Sequence, residues 1–98
     1  MTMALIPYYN LTASDVSVYT QLTRGSLAYG GEEGFRRASV TMNEYLLIDG
    51  ERDKRLSRKT AIELTYVAEQ LRDVYKTRGN GEKAQELERY IASWKSSL

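Results

Sequence analysis

Two rows of apolar and small residues near the C-terminus constrain this chain more than anything else in it. Thr60, Leu64, Val67, Leu71 and Val74 form one row, and Ala84, Leu87, Ile91, Trp94 and Leu98 form the other. Both advance by three and four residues, the spacing that keeps side chains on one face of an α-helix. Between them lies Arg78-Gly79-Asn80-Gly81-Glu82, short and rich in residues that tolerate positive φ. Residues 57–98 are therefore expected to form two antiparallel helices, the first capped by Ser57 and the second beginning near Gly81-Glu82. The first of them also carries Ile62 and Tyr66, one turn apart on a second face. Two helices alone leave one of these faces bare, so the Ile62/Tyr66 face is expected to receive the N-terminal half.

Upstream the pattern is weaker. Residues 1–10 are apolar and aromatic (Met3, Leu5, Ile6, Tyr8, Tyr9), and Pro7 disfavours helix in the residue before it, which predicts an extended arm. Thr12-Ala-Ser-Asp15 reads as a helix start, with Thr12 or Ser14 as cap and an acid in the first turn. That helix is expected to reach about Arg24, with Val16, Tyr19 and Thr23 on one face and Leu11, Val18 and Leu22 near another. Gly25 and Gly30-Gly31 punctuate the next stretch, with Leu27-Ala-Tyr29 as a last loose turn. Glycines 30, 31 and 34 surround two acids, Glu32 and Glu33, which suits a flexible joint and not a phosphate cradle.

Residues 32–48 carry two patterns at once. Phe35, Ala38, Met42, Tyr45 and Leu46 share a helical face, and Glu32-Glu33 suit a first turn. Ala38, Val40 and Met42 also alternate with Ser39, Thr41 and Asn43, as in a half-buried strand, with Asp49-Gly50 as a hairpin turn. The residues after that turn, Glu51-Arg-Asp-Lys-Arg55, have no strand character, which favours the helix. The expected fold is all-α, a single domain of three to four helices built on the C-terminal hairpin. It has an arm at 1–10, N-terminal helices over 12–48, a charged connector at 49–56 and the hairpin at 57–98. The alternative is α+β, with a short strand or hairpin near 37–48.

At 98 residues, one domain is the expectation, and a chain of this size buries somewhat less than ~70% of its unfolded surface. Hydrophobic residues at 42% and charged residues at 28% are ordinary for a globular domain. The net charge of +1 gives no global pull toward nucleic acid or acidic membranes, but its placement is uneven. Residues 1–31 contain only Asp15 and Arg24 as charged side chains. The absence of cysteine removes disulfides and thiolate chemistry, and the absence of histidine removes the commonest proton shuttle and metal ligand. No apolar run approaches the ~20 residues of a membrane span. The start has no basic region before its apolar residues, so a cytoplasmic location is expected.

Candidate chemistry is sparse. Asp49, Glu51 and Asp53 alternate like the opening ligands of a calcium loop, but Lys54 stands where the loop glycine belongs and Thr60 where the bidentate glutamate belongs. Arg36-Arg37-Ala38-Ser39 resembles a basophilic phosphorylation sequence on a segment assigned to a helix, and Asn10-Leu11-Thr12 fits a glycosylation sequon without a secretory route. The carboxylates Glu63, Glu69, Asp73 and Glu86 fall on polar helical faces, and no two of them share an apolar pocket that would divide acid and base roles. No catalytic residue, metal or cofactor is assigned.

Two features point to partners. Of the eight tyrosines, Tyr8, Tyr9, Tyr19 and Tyr29 lie in the stretch that is nearly free of charge. Tyrosine joins an apolar body to a wet hydroxyl and is enriched at protein interfaces. These four are the candidate contact residues of a non-enzymatic protein-interaction module, an adaptor, small regulator or inhibitor, with self-association as one form. The alternative is a nucleic-acid-binding regulator using Arg52, Lys54, Arg55, Arg58 and Lys59, whose cations would neutralise phosphates.

Overall fold

A computed structural model describes residues 13–49, 58–96 and 98. It contains helices α1 (Ala13–Tyr29), α2 (Gly31–Asp49), α3 (Arg58–Thr77) and α4 (Gly81–Lys95), and the described residues contain no strand. The all-α expectation holds. In the ambiguous segment, the helical pattern prevails because it buries more. Ala38, Met42, Tyr45 and Leu46 are all in the core, whereas Val40, which strand alternation would bury beside them, is 51% exposed. The expected arm and connector lie outside the described residues.

The chain packs as two helical hairpins, α1 on α2 and α3 on α4, with α1 and α2 both laid against α3. Tyr45 stands where they meet, its ring 5.9 Å from Tyr19 of α1 and 6.2 Å from Trp94 of α4. Around it are Val16, Met42, Leu64, Val67, Leu71, Leu87 and Ile91, one contiguous apolar cluster. Thr20 and Thr23 are buried as well. Each hydroxyl donates to the carbonyl one turn back, on Val16 and Tyr19, at 2.9 Å, so neither needs a partner across the core.

The first joint is tighter than the sequence suggests. A single residue, Gly30, separates α1 from α2, and both Gly30 and Gly31 have positive φ (80° and 69°). A Cβ on Gly34 would sit 2.4 Å from the Ser26 carbonyl oxygen, so α1 and α2 approach there at a distance only glycine permits. Gly34 is therefore a close-packing residue and not part of a loose joint, while Gly30 and Gly31 supply the positive φ of the turn. Helix α1 likewise does not end at Arg24. It continues through Gly25 to Tyr29, because Leu27 extends the buried row of Val16, Thr20 and Thr23 by another turn.

The second hairpin closes as its sequence implies. Gly79, at φ 80°, donates to the Lys76 carbonyl (3.0 Å), and Asn80 donates to the Tyr75 carbonyl (2.8 Å), the paired bonds of a glycine-terminated helix. The Asn80 side chain then accepts from the Lys83 amide and caps α4. Two residues thus end one helix and start the next. The expectation that the Ile62/Tyr66 face receives the first hairpin is corrected: those residues are 47% and 56% exposed. Ala61, Thr65 and Ala68 are buried instead, and these small residues widen the stripe of Leu64, Val67 and Leu71 enough to serve both hairpins.

Candidate interaction surface

Helix α1 has two usable faces. Val16, Tyr19, Thr20 and Thr23 face the core, while Val18, Leu22 and Tyr29 project from the opposite side. Spacings of four and seven residues align these three in one row, with Gly25 between Leu22 and Tyr29. Leu22 is 55% exposed. Helix α2 repeats the arrangement, with Val40 and Leu47 exposed on the side opposite Ala38, Met42 and Tyr45. The first hairpin therefore carries an apolar outer surface. Helix α3 adds Ile62 and Tyr66, the latter bordering an open groove of about 590 Å³ lined with Arg24, Leu27, Ala28, Gln70 and Val74.

The candidate tyrosines separate. Tyr29 is 72% exposed at the end of α1, with the Arg37 guanidinium 5.8 Å from its ring centre. Tyr19 is 5% exposed and packs on Tyr45, so as a contact residue it is corrected to a core residue. The reason is register: Tyr19 follows Val16 by three residues and precedes Thr23 by four, which places it in the buried row. Tyr8 and Tyr9 lie outside the described residues. Tyrosine content does not find Val18, Leu22, Val40 and Leu47, which share the outer surface with Tyr29. Their signal is an apolar side chain out of step with the buried row, visible in the second face of α1.

Charge borders this surface on the α2 side. Glu33 accepts from Arg36 at 2.6 Å and from Arg37 at 2.7 Å. The hydrogen bond from Arg36, and then that from Arg37, hold the Glu33 carboxyl below the ordinary glutamate range, and Glu33 in turn raises Arg36. At the elbow, Arg78 pairs with Glu32 and lies 4.3 Å above the Phe35 ring, which meets Tyr75 edge-on at 5.4 Å. That group ties the two turns together.

Apart from the exposed Ile62 and Tyr66 of α3, the second hairpin carries ion pairs on its surface. Arg72 bridges Glu88 (2.8 Å) and Asp73 (3.0 Å), chiefly the Glu88 bond raising its pKa, and Lys95 reaches Glu69 at 2.8 Å. Of the basic cluster, Arg58 and Lys59 are exposed in the first turn of α3, a turn without an acid, while Arg52, Lys54 and Arg55 lie outside the described residues. Among the described residues no group of acidic side chains is placed to hold a metal ion, and no helix is long and apolar enough to cross a membrane. No protein-family model, curated protein or solved structure matches the chain significantly.

Proposed function

We propose that this protein is a non-enzymatic protein-interaction module whose contact surface is the outer face of the first hairpin, centred on Leu22 and Tyr29. One observation carries the reading: the exposed apolar row of α1, Val18, Leu22 and Tyr29, has no charged side chain in it. Single exposed hydrophobics are common on soluble proteins, but an aligned, uncharged row on a helix is what a partner helix or groove receives. Tyr29 supplies the aromatic anchor found at the centres of such contacts.

The test is affinity capture with the wild-type chain and with a Leu22→Ser/Tyr29→Ser variant, each with and without nuclease. A protein retained by the wild type, lost by the variant and indifferent to nuclease supports this surface. Equal retention by both removes it. Recovery abolished by nuclease transfers the function to the basic cluster, the second reading, which the exposed Arg58 and Lys59 favour. Thermal unfolding of the variant at a dilution where both chains are monomeric should match the wild type, because both side chains are exposed in the folded chain.

A further inference from the structure

We infer that the partner of the α1 outer face is the same face of a second copy, paired antiparallel about a two-fold axis midway between Leu22 and Gly25. This rests on the interaction-surface reading above and names its occupant.

The row Val18, Leu22, Gly25, Tyr29 steps by four, three and four residues, the alternation of a coiled-coil seam. It is also its own complement. An axis midway between Leu22 and Gly25 brings Leu22 of each copy onto Gly25 of the other and Val18 onto Tyr29. The largest side chain of each inner layer thus faces the smallest, as an isologous two-fold contact demands. Parallel pairing would instead stack Gly25 on Gly25 and leave a void.

Gly25 itself asks for an explanation that the single chain does not supply. It lies inside a helix, where glycine destabilises relative to alanine. It has no positive φ, and no atom lies within 4 Å of where a Cβ would stand. Close approach by another backbone or a large side chain is the remaining structural use of a glycine.

Charge agrees with the same axis. Arg37 lies over Tyr29, so this edge of α2 borders the end of the row, and Glu44, two turns further along α2 and next to the Tyr45 that packs on Tyr19, is level with its beginning. The two-fold sets the beginning of one row beside the end of the other, which brings Glu44 of each copy level with Arg37 of its mate. Within one chain, Arg36 and Arg37 share the single carboxylate of Glu33, whereas Glu44 makes no ion pair among the described residues. Two arginines thus share one acid while Glu44 has no ion pair among the described residues, and the dimer sets an Arg37 beside a Glu44 twice. The seam itself carries no charge to repel its copy.

The chain contains no cysteine, so the pairing is open to a clean test. Val18→Cys and Tyr29→Cys variants are oxidised separately and mixed, in parallel with sedimentation of the wild type and of Leu22→Glu across concentration. The expected result is a wild-type dimer, a monomeric but folded Leu22→Glu, and disulfides that join Val18→Cys to Tyr29→Cys far more than either variant to itself. Arg37→Glu and Glu44→Arg should each weaken the dimer, and together restore it. Self-linking of each variant without cross-linking would overturn the antiparallel axis. A wild-type chain that stays monomeric while Leu22→Ser/Tyr29→Ser still loses a foreign partner overturns the self-pairing alone. If that variant loses nothing, the parent reading falls with it.

Discussion

Helices α1 and α4 are of similar length, 17 and 15 residues, and both bury one row against the common core, yet their outer faces are unlike. Helix α4 turns Glu82, Gln85, Glu88, Arg89 and Ser93 to solvent, is capped by Asn80, and is tied to α3 through Arg72–Glu88 and Lys95–Glu69. Helix α1 turns out Val18, Leu22, Gly25 and Tyr29, and Arg24 is the one charged side chain over its residues 16–29. An exposed helix held by caps and ion pairs needs nothing beyond its own chain. Among the described residues α1 has instead a second apolar face with nothing of its own chain described upon it, and such a face depends on packing. On the function proposed above, the difference separates a scaffold hairpin from one that meets a partner.

Three measurements press on this contrast. The largest effect is expected at Tyr45, where both hairpins converge. Tyr45→Ala should cost about 3–5 kcal/mol in equilibrium urea unfolding, the usual loss for truncating a fully buried aromatic. Leu22→Ala, on the outer face of the same hairpin, should stay within about 0.5 kcal/mol in the monomer. Equal losses at the two positions would erase the distinction between inner and outer faces.

The two glycines of the first hairpin give an intermediate effect of opposite signs. Gly34→Ala drives a Cβ into the Ser26 carbonyl and should cost about 1–3 kcal/mol, since the obstacle is backbone. Gly25→Ala meets open space and should raise monomer stability by about 0.5–1 kcal/mol. Thermal melts of the two variants at dilute concentration check both.

The smallest effect is electrostatic. Glu33 is held below the ordinary glutamate value of about 4.3 by its hydrogen bonds from Arg36 and Arg37. A depressed acid contributes stability that is present above its unfolded pKa and lost as pH falls through its folded one. Because the pair is exposed the contribution is slight, so it is better read by NMR titration of the Glu33 carboxyl. A midpoint at or above the ordinary value would show that neither arginine is engaged, and would free both for a partner.

Much of this architecture is legible in the residues alone. The C-terminal rows as far as Trp94, the Gly79-Asn80 turn and the helical face of Phe35, Ala38, Met42 and Tyr45 are local patterns, and each appears where its spacing puts it. Leu98, expected to continue the last row, is corrected to an exposed residue beyond the end of α4 at Lys95. Packing between elements decides the rest. Nothing local says that Ala61, Thr65 and Ala68 will take the first hairpin in place of Ile62 and Tyr66. Nor does local spacing reveal that Gly34 is pressed against Ser26 rather than left loose. The outer face is half visible: Val18 and Leu22 fall off the Val16–Tyr19–Thr23 row, but tyrosine content draws attention to Tyr19, whose own register buries it.

The most direct measurement is an amide NMR spectrum of the wild-type chain recorded across a dilution series. Pairing of α1 with its own copy predicts concentration-dependent shifts at Val18, Leu22, Gly25, Tyr29, Arg37 and Glu44, with the outer face of α4 unchanged. Shifts confined to α4, or a spectrum that ignores concentration, would contradict it.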